Sequence, residues 1–339
     1  MRKLKVLLLF DSPSAKPRGY DFKEEFKEAD WATEDEIHRT LKKSGHDVRL
    51  LGLYNDIHPL LDEIKERRPD VVFNLAEVFD QKSHLDKNVV SLLEMLELPY
   101  TGATPASLLI CNDKALSKKI LRFHRIRVPR FYTFYKQHKI WLPKKLRTPL
   151  IVKPLLEEAS RGIAQASIVD NEEALIERVK FIHQSLDMHA IAEEYIDGRE
   201  FYVSILGTKK RIKVLPLREM KFGEFPEDEP QIATYKAKWD HGYREKWGIK
   251  NVFAGRLPNG AEKKIAEVCK RAYRAIEMTS YARFDIRLTP AQGVYIIEAN
   301  ANPSLSRGDE VGQSAEKAGI SYDKLLEKII KFALQRHHE

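Results

Sequence analysis

Short apolar runs alternate with segments of helical periodicity along the first hundred residues. The apolar runs are rich in Val and Leu and span residues 6–10, 48–54 and 71–75. Apolar residues recur every three or four positions in the segments 34–43, 57–67 and 88–96. The first pattern predicts buried β-strands and the second predicts helices. Such alternation is typical of a parallel sheet with helices packed on its faces.

From about residue 129 onwards, strand-like segments follow one another at short intervals. Asp197-Gly198 is a dipeptide typical of hairpin turns, and Asn112 is a good N-cap for a helix that joins the first two units. The predicted strands cover residues 130–135, 150–154, 162–169, 190–195, 200–206, 282–288 and 294–299, and the predicted helices cover residues 172–184, 261–277 and 322–336. These elements divide the chain into an α/β N-terminal unit (1–112), a small α+β middle unit (113–205) and an α+β C-terminal unit (206–339).

The composition indicates a folded, cytoplasmic protein. Hydrophobic residues make up 43% of the 339 residues, but no apolar run approaches the roughly 18–20 residues that span a bilayer. The apolar stretch at 4–10 stops at Asp11, so it predicts a buried strand rather than a signal peptide. Two cysteines, Cys111 and Cys269, are too few for a disulfide framework or a cysteine-based zinc site. We therefore expect no membrane partner.

Positive charge is concentrated in one segment. The chain carries +8 overall, yet residues 114–156 contain thirteen lysines and arginines and no acidic residue. Such a block is compatible with a polyphosphate ligand, with nucleic acid or with a solvated helix face. Leu116, Ile120 and Phe123 recur at helical spacing, which favours a packed helix. Nucleic acid is therefore disfavoured as a partner.

The sharpest local feature is a pair of strands that carry charged residues in apolar surroundings. Arg283, Asp285 and Arg287 alternate along one strand, and Glu298 and Asn300 alternate along the next. Alternate residues share one face of a strand, so Asp285, Glu298 and Asn300 would converge if the strands are neighbours. Three oxygen donors with two negative charges suit Mg²⁺. The alternative is a metal-free ion pair of Arg283 with Asp285 or Glu298.

Three further segments place polar residues where a nucleotide could bind. Lys153 lies inside an apolar strand and precedes a loop of small residues at 157–162, whose backbone N–H groups could cover a phosphate. Lys114 stands at the start of a predicted helix, which also favours phosphate. Residues 193–200 contain carboxylates that suit the amino group and ribose of a nucleotide. None of these segments is specific on its own.

The order of these segments resembles the ATP-grasp superfamily and, within it, the D-alanine–D-alanine ligases. The resemblance covers nearly the whole chain and includes the step from Asp285 to Glu298. The matching segments are residues 70–74, 92–102, 112–114, 152–154, 193–200, 235–238, 282–285 and 298–300. It implies a three-domain ATP-grasp fold with an N-terminal parallel-sheet domain, a small middle domain and a C-terminal antiparallel-sheet domain. The family's usual homodimer is implied as well.

The resemblance implies ATP and two Mg²⁺ ions as cofactors, with Mn²⁺ as a substitute. Lys114 and Lys153 would contact the ATP phosphates. The loop that contains Glu157 and Ser160 would close over them, and Lys238 would neutralise the transferred γ-phosphate.

For the adenosine moiety, the resemblance implies contacts with residues 193–200. Glu193 would face the adenine amino group, and the backbone from Glu194 to Ile196 would contact the ring. Glu200 would bind the ribose hydroxyls.

For the reaction itself, Asp285, Glu298 and Asn300 would bind the metal ions, and Arg283 would stabilise the oxyanion of a tetrahedral intermediate. The implied chemistry converts a small-molecule carboxylate, such as an amino acid, into an acyl phosphate that an amine attacks. It depends on positioning and charge neutralisation, so it needs no nucleophilic side chain.

The substrate half of the chain departs from the family pattern. Lys16 stands where the family has a glutamate for the ammonium group of the first D-alanine. Ala159, Trp239, Ser304 and Asp309 replace residues of the phosphate loop and of the second-substrate pocket. Together these changes indicate a different substrate pair.

Three functions therefore stay open. The leading interpretation is an ATP-dependent carboxylate–amine ligase of the D-alanine–D-alanine ligase type. The narrower alternative is an authentic D-alanine–D-alanine ligase of peptidoglycan precursor synthesis. The third is a non-catalytic nucleotide-binding or RNA-associated protein that uses the basic block, although mere binding would not need Arg283, Asp285, Glu298 and Asn300 together.

Overall fold

The first sheet is parallel, as the alternating pattern predicts. The structure is a computed structural model that describes residues 2–157, 160–226 and 230–337. Strands β1 (Lys5–Asp11), β2 (Asp47–Leu53) and β3 (Val71–Asn74) pair in the order β2-β1-β3. Helices α1 (Ala32–Lys43), α2 (His58–Glu66) and α3 (Asp86–Met95) follow the strands in turn. Residues 6–10 of β1 are buried on both faces, which explains the continuous apolar run.

Two helices lead from this sheet into the middle unit. The sequence predicts one helix that begins near Asn112. In the structure, helix α4 (Pro105–Asn112) ends at that residue and helix α5 (Lys114–Phe123) follows it. The cap of α5 is Asp113, not Asn112. The Asp113 carboxylate accepts hydrogen bonds from the N–H groups of residues 115 and 116 at 2.8 and 2.9 Å, so it satisfies two free donors at the helix start.

The middle sheet is antiparallel and has the strand order β4-β7-β5-β6. Its elements are β4 (Phe131–Phe134), β5 (Leu150–Pro154), β6 (Ile168–Val169), α6 (Glu172–Ser185) and β7 (Ala190–Glu194). The strand expected at 162–169 is much shorter, because residues 165–167 form a 3₁₀ turn before β6. Helix α6 begins after Asn171, whose side chain accepts a hydrogen bond from the N–H of Ala174.

The C-terminal sheet contains six strands among the described residues. Five pair in the order β11-β10-β8-β12-β13, and β9 pairs with β8. The strands are β8 (Arg199–Gly207), β9 (Ile212–Val214), β10 (Arg218–Lys221), β11 (Lys250–Phe253), β12 (Ser280–Leu288) and β13 (Val294–Asn300). The helices are α7 (Tyr235–Trp239), α8 (His241–Lys246), α9 (Ala261–Ala275), α10 (Glu310–Lys317) and α11 (Tyr322–His337). Antiparallel pairing throughout this sheet and a parallel N-terminal sheet confirm the expected fold class.

Asp197-Gly198 does not form a hairpin. It links β7 of the middle sheet to β8 of the C-terminal sheet. Gly198 has φ +144°, and a Cβ there would lie 2.3 Å from the carbonyl oxygen of Leu288, so glycine is required by the close approach of β12. We propose that the middle unit ends in this link rather than at residue 205, which lies inside β8.

The N-terminal and C-terminal units share their cores. Leu7 and Leu9 of β1 pack in a cluster that includes residues of β8, β12 and α9. Leu8 and Phe10 pack in a second cluster with α11. The middle sheet packs against α6 in a cluster of its own. Throughout the described ranges, each helix is too short or too polar to cross a bilayer.

Candidate active site

The predicted metal-binding residues lie on two paired strands. Strands β12 and β13 are antiparallel neighbours, with Asp285 opposite Glu298 and Arg283 opposite Asn300. Opposed residues of an antiparallel pair project to the same face with closely spaced Cβ atoms. The sequence pattern therefore brings these four side chains together on one face of the C-terminal sheet, on its edge strand β13 and the neighbouring strand β12.

Asp285 is held by cations. The Nε and Nη2 atoms of Arg283 donate to its two carboxylate oxygens at 2.7 and 3.2 Å, and the Nζ of Lys238 lies 3.8 Å away. Asn300 Nδ2 donates to the same carboxylate at 3.4 Å. Burial raises the pKa of Asp285 above its ordinary value, although Arg283 and Lys238 oppose that rise. The ion pair foreseen as the metal-free alternative is thus present.

Glu298 is paired with Lys114. Their charged atoms are 3.2 Å apart, and the Lys114 Nζ also donates to the carbonyl oxygen of Glu157. Lys114 is the first residue of α5 and is buried. Burial alone would raise the pKa of Glu298, but Lys114, Lys238 and other nearby lysines outweigh it and hold the pKa well below its ordinary value. Glu298 therefore stays ionised.

A third carboxylate, which is fully buried, lies between two lysines. Glu193 is fully buried, and its two oxygens lie 2.9 Å from Lys118 Nζ and 3.1 Å from Lys153 Nζ. Burial opposes ionisation of Glu193, but the two lysines lower its pKa overall. Desolvation lowers the pKa of Lys118, although Glu193 counteracts it.

Lys118 is the site residue that the sequence reasoning missed. In the sequence, Lys118 stands out only as one of the thirteen lysines and arginines of residues 114–156. A usable signal existed, because Lys114, Lys118 and Leu121 recur at i, i+4 and i+7 on α5 and all three are buried. A lysine on the apolar face of a helix is expected to meet a buried anion.

Most of the remaining predicted residues line the cleft between the middle and C-terminal sheets, although Glu157 is not among them. Glu200 pairs with Arg287, with 2.5 Å between its Oε2 and the arginine Nη2. Ser160 donates from its hydroxyl to the carbonyl oxygen of Ala233 at 2.8 Å, so the phosphate loop touches the segment before α7. The residues that line this cleft include Lys153, Ser160, Glu193, Glu194, Ile196, Glu200, Lys238, Asp285 and Glu298.

A second cavity of about 240 Å³ lies at the carboxyl end of β3. Glu77, Asp86, Arg283, Asp309 and Lys238 are among its lining residues, and Lys238 also lines the cleft. Ligands bind characteristically at the carboxyl ends of parallel strands. The expected departures Trp239 and Ser304 line this cavity too, whereas Ala159 lies outside the described residues.

Lys16, which was expected to face the first substrate, contacts residues of its own loop. It is not among the residues that line the second cavity. Its Nζ lies 2.5 Å from Glu25 and 4.7 Å from the centre of the Tyr20 ring. Its charge is therefore compensated within its own loop.

The donor set on β12 and β13 fits a hard divalent cation. The buried carboxylate of Asp285, the half-buried carboxylate of Glu298 and the amide of Asn300 offer oxygen ligands, the type that Mg²⁺ prefers. Among the residues that the structure describes, no cluster of three or more His, Cys, Asp and Glu side chains is arranged to hold a metal. The predicted metal site therefore consists of two carboxylates and Asn300. In the structure, the charges of these carboxylates are neutralised by Arg283, Lys114 and Lys238.

The chain is similar in sequence to known proteins. The family model described as D-ala D-ala ligase C-terminus matches residues 120–331. The uncharacterized protein y4sG of Sinorhizobium fredii is 30% identical over 89% of this chain and 88% of its own length. D-alanine–D-alanine ligase A of Bacillus cereus is 30% identical over 82% of this chain and 85% of its own.

The fold is shared with a solved structure. The D-alanine–D-alanine ligase of Bacillus anthracis, solved in complex with ATP, superposes with a TM-score of 0.75 at 24% identity, and the match covers 99% of both chains. The chain thus belongs to the D-alanine–D-alanine ligase family, whose members are ATP-grasp enzymes that form C–N bonds.

Proposed function

We propose that the chain is an ATP-dependent ligase that converts a carboxylate substrate into an acyl phosphate and couples it to an amine. The observation that carries this proposal is the placement of Asp285 opposite Glu298, close to Lys238, which lines both the cleft and the second cavity. A nucleotide in the cleft and a carboxylate in the cavity would meet at this residue.

The buried cations would stabilise the transferred phosphoryl group. Lys114, Lys153 and Lys238 each lie within 4 Å of a carboxylate oxygen in the cleft, so each can exchange a carboxylate for a phosphate oxygen without entering water. Arg283 faces the second cavity and would stabilise the oxyanion that forms when the amine attacks. Positioned charge of this kind is the main protein contribution to phosphoryl transfer.

Asp285, Glu298 and Asn300 would hold Mg²⁺. When bound, the ion withdraws charge from phosphate oxygens and takes over the neutralisation of the two carboxylates. Arg283 and Lys238, which lie beside Asp285, would direct their charge towards the substrate. The number of ions, and Mn²⁺ as a substitute, remain predictions.

The adenosine end of the nucleotide would lie against residues 193–200. Glu194 and Ile196 line the cleft, as does Glu200, whose carboxylate is oriented by Arg287. Glu193 also lines the cleft, but both its oxygens lie next to lysines, so a contact with the adenine amino group would be shared with those ion pairs. Glu157 and Ser160 would cover the phosphates from the loop above.

The two substrates are small molecules with a carboxylate and an amine. Lys16 is not among the residues that line the cavity, which weakens one argument against an authentic D-alanine–D-alanine ligase. Asp309 does line it, which keeps the argument for a changed second substrate. We therefore retain the broader ligase as the leading proposal and the D-alanine enzyme as its alternative. The homodimer and the cytoplasmic location also remain predictions.

The test is phosphate release from Mg-ATP across a panel of D- and L-amino acids, with mass spectrometry of the products. A mass of D-alanyl-D-alanine would establish the narrower alternative. Another conjugate would establish the broader ligase and identify its substrates. Tight Mg-ATP binding with no turnover on any pair would favour the non-catalytic alternative, and no Mg-ATP binding would contradict the proposal altogether.

A further inference from the structure

Lys118 joins both sheets that enclose the nucleotide cleft. Its side chain projects from α5 and is 2% exposed. Its Nζ lies 2.9 Å from Glu193 on β7 and donates to the carbonyl oxygen of Ile297 on β13 at 2.7 Å. One ammonium group therefore contacts the middle sheet and the C-terminal sheet at once.

The carbonyl of Ile297 is available because β13 is irregular at this point. Asp285 pairs with Glu298, but Ile286 pairs with Ile296, so Ile297 is an extra residue with no partner on β12. Such a bulge breaks the ladder locally and often occurs beside an active site. The bulge offers the Ile297 carbonyl to Lys118, next to the predicted metal ligand Glu298.

The charges around Glu193 explain why a second lysine is useful. Glu193 lies against Lys153, one of the lysines proposed to contact the ATP phosphates. If these two residues were alone, the carboxylate would cancel the charge that attracts phosphate. With Lys118 on the other carboxylate oxygen, the three groups carry a net charge of +1 in a buried environment where charge is weakly screened.

We propose that Lys118 is a positioning residue for the nucleotide, which compensates Glu193 so that the charge of Lys153 remains available to phosphate. The inference rests on the proposed function, because it assigns ATP to this cleft. Lys118 acts through Glu193 and the strand bulge, not by contact with the reacting atoms.

The experiment compares the binding of Mg-ATP and adenosine by calorimetry in the full-length protein. Lys118→Met keeps the length and the burial of the side chain but removes its charge. We expect it to weaken Mg-ATP binding at least tenfold while adenosine binding changes less than twofold. Lys119→Met is the matched control, because Lys119 is the next residue on α5 and is exposed, and it should leave both affinities unchanged.

A charge rescue separates this role from a purely structural one. Lys118→Met combined with Glu193→Gln removes one positive and one negative charge, so it should restore most of the preference for Mg-ATP over adenosine. Glu193→Gln alone should increase that preference, and this variant keeps the test open if Lys118→Met fails to fold. The inference would be overturned if Lys118→Met lost affinity for Mg-ATP and for adenosine equally, or if the double variant did not regain the preference for Mg-ATP. Failure of the wild-type protein to bind Mg-ATP would instead refute the proposed function.

Discussion

Arg336 lies in the last turn of α11 and binds the loop that contains Tyr100 and Gly102. Its guanidinium donates to the carbonyl oxygens of Tyr100 and Gly102 at 2.7 Å each and to the Thr279 hydroxyl at 2.8 Å. It also lies 4.1 Å from the centre of the Tyr100 ring. Arg336→Met would remove all of these contacts while retaining a shorter, unbranched apolar side chain that replaces part of the arginine stem.

The expected cost follows from the hydrogen bonds. A hydrogen bond from a charged donor contributes about 1.5–3 kcal/mol, so three of them give at least about 4.5 kcal/mol. Arg336 is half-buried, and the released carbonyls would recover part of this by binding water. We therefore expect Arg336→Met to lower the free energy of unfolding by about 3 kcal/mol. Arg336→Lys should cost roughly half as much, because one ammonium cannot reproduce the planar fork.

Guanidinium chloride unfolding, followed by tryptophan fluorescence, measures this difference. Lys331→Met on the same helix is the control, because Lys331 is exposed and should change the stability by less than about 0.5 kcal/mol. If Arg336→Met were as stable as this control, the assignment of α11 docking to these hydrogen bonds would be wrong.

Three further predictions concern the site and its surroundings. Asp285→Asn and Glu298→Gln should each reduce Mg-ATP turnover at least a hundredfold while adenosine binding is retained, as steady-state kinetics and calorimetry would show. Gly102→Ala should destabilise the fold by about 2–4 kcal/mol in a denaturant titration, because the glycine has φ +88° and a Cβ would lie 2.5 Å from Asn302 Oδ1. Since Asn302 lines the second cavity, the same variant should raise KM for the amino-acid substrates more than KM for ATP. Burial raises the pKa of Asp86 above its unfolded value near 3.8. The ionised carboxylate therefore destabilises the folded state at pH values above the raised pKa, and this cost disappears below the unfolded pKa. Asp86→Asn should accordingly melt at a higher temperature than wild type at pH 7, and the difference in melting temperature should shrink towards pH 4.

Helices and strands could be predicted where the buried apolar residues repeat regularly along the sequence. Strand β1 and helix α9 were recognisable because their apolar residues follow a continuous run and a helical repeat. Helices α7 and α8 were missed because they have five and six residues, too few for a period to be visible. The Asp197-Gly198 turn was misread because a turn dipeptide does not reveal which sheet receives the next strand.

The site could be predicted where its residues lie near one another in sequence. Asp285, Glu298 and Asn300 belong to two consecutive strands, so their convergence follows from local pairing. Lys118 and Glu193 are 75 positions apart and meet through the packing of α5 on β7, which no local pattern encodes. The surroundings of Lys16 are not visible in the sequence for a related reason, since its partners Glu25 and Tyr20 are set by the folding of an irregular loop.

Helix α11 also bears on how the chain folds during synthesis. Leu8 and Phe10, near the start of the chain, are buried in one cluster with Leu326, Ile329 and Ile330, near its end. An emerging chain cannot cover that face of the first sheet until α11 has been synthesised, so the apolar surface of β1 and β3 stays exposed while the later units form. We expect the N-terminal sheet to be the last part of the molecule to become stable, and the part most dependent on chaperones at the ribosome.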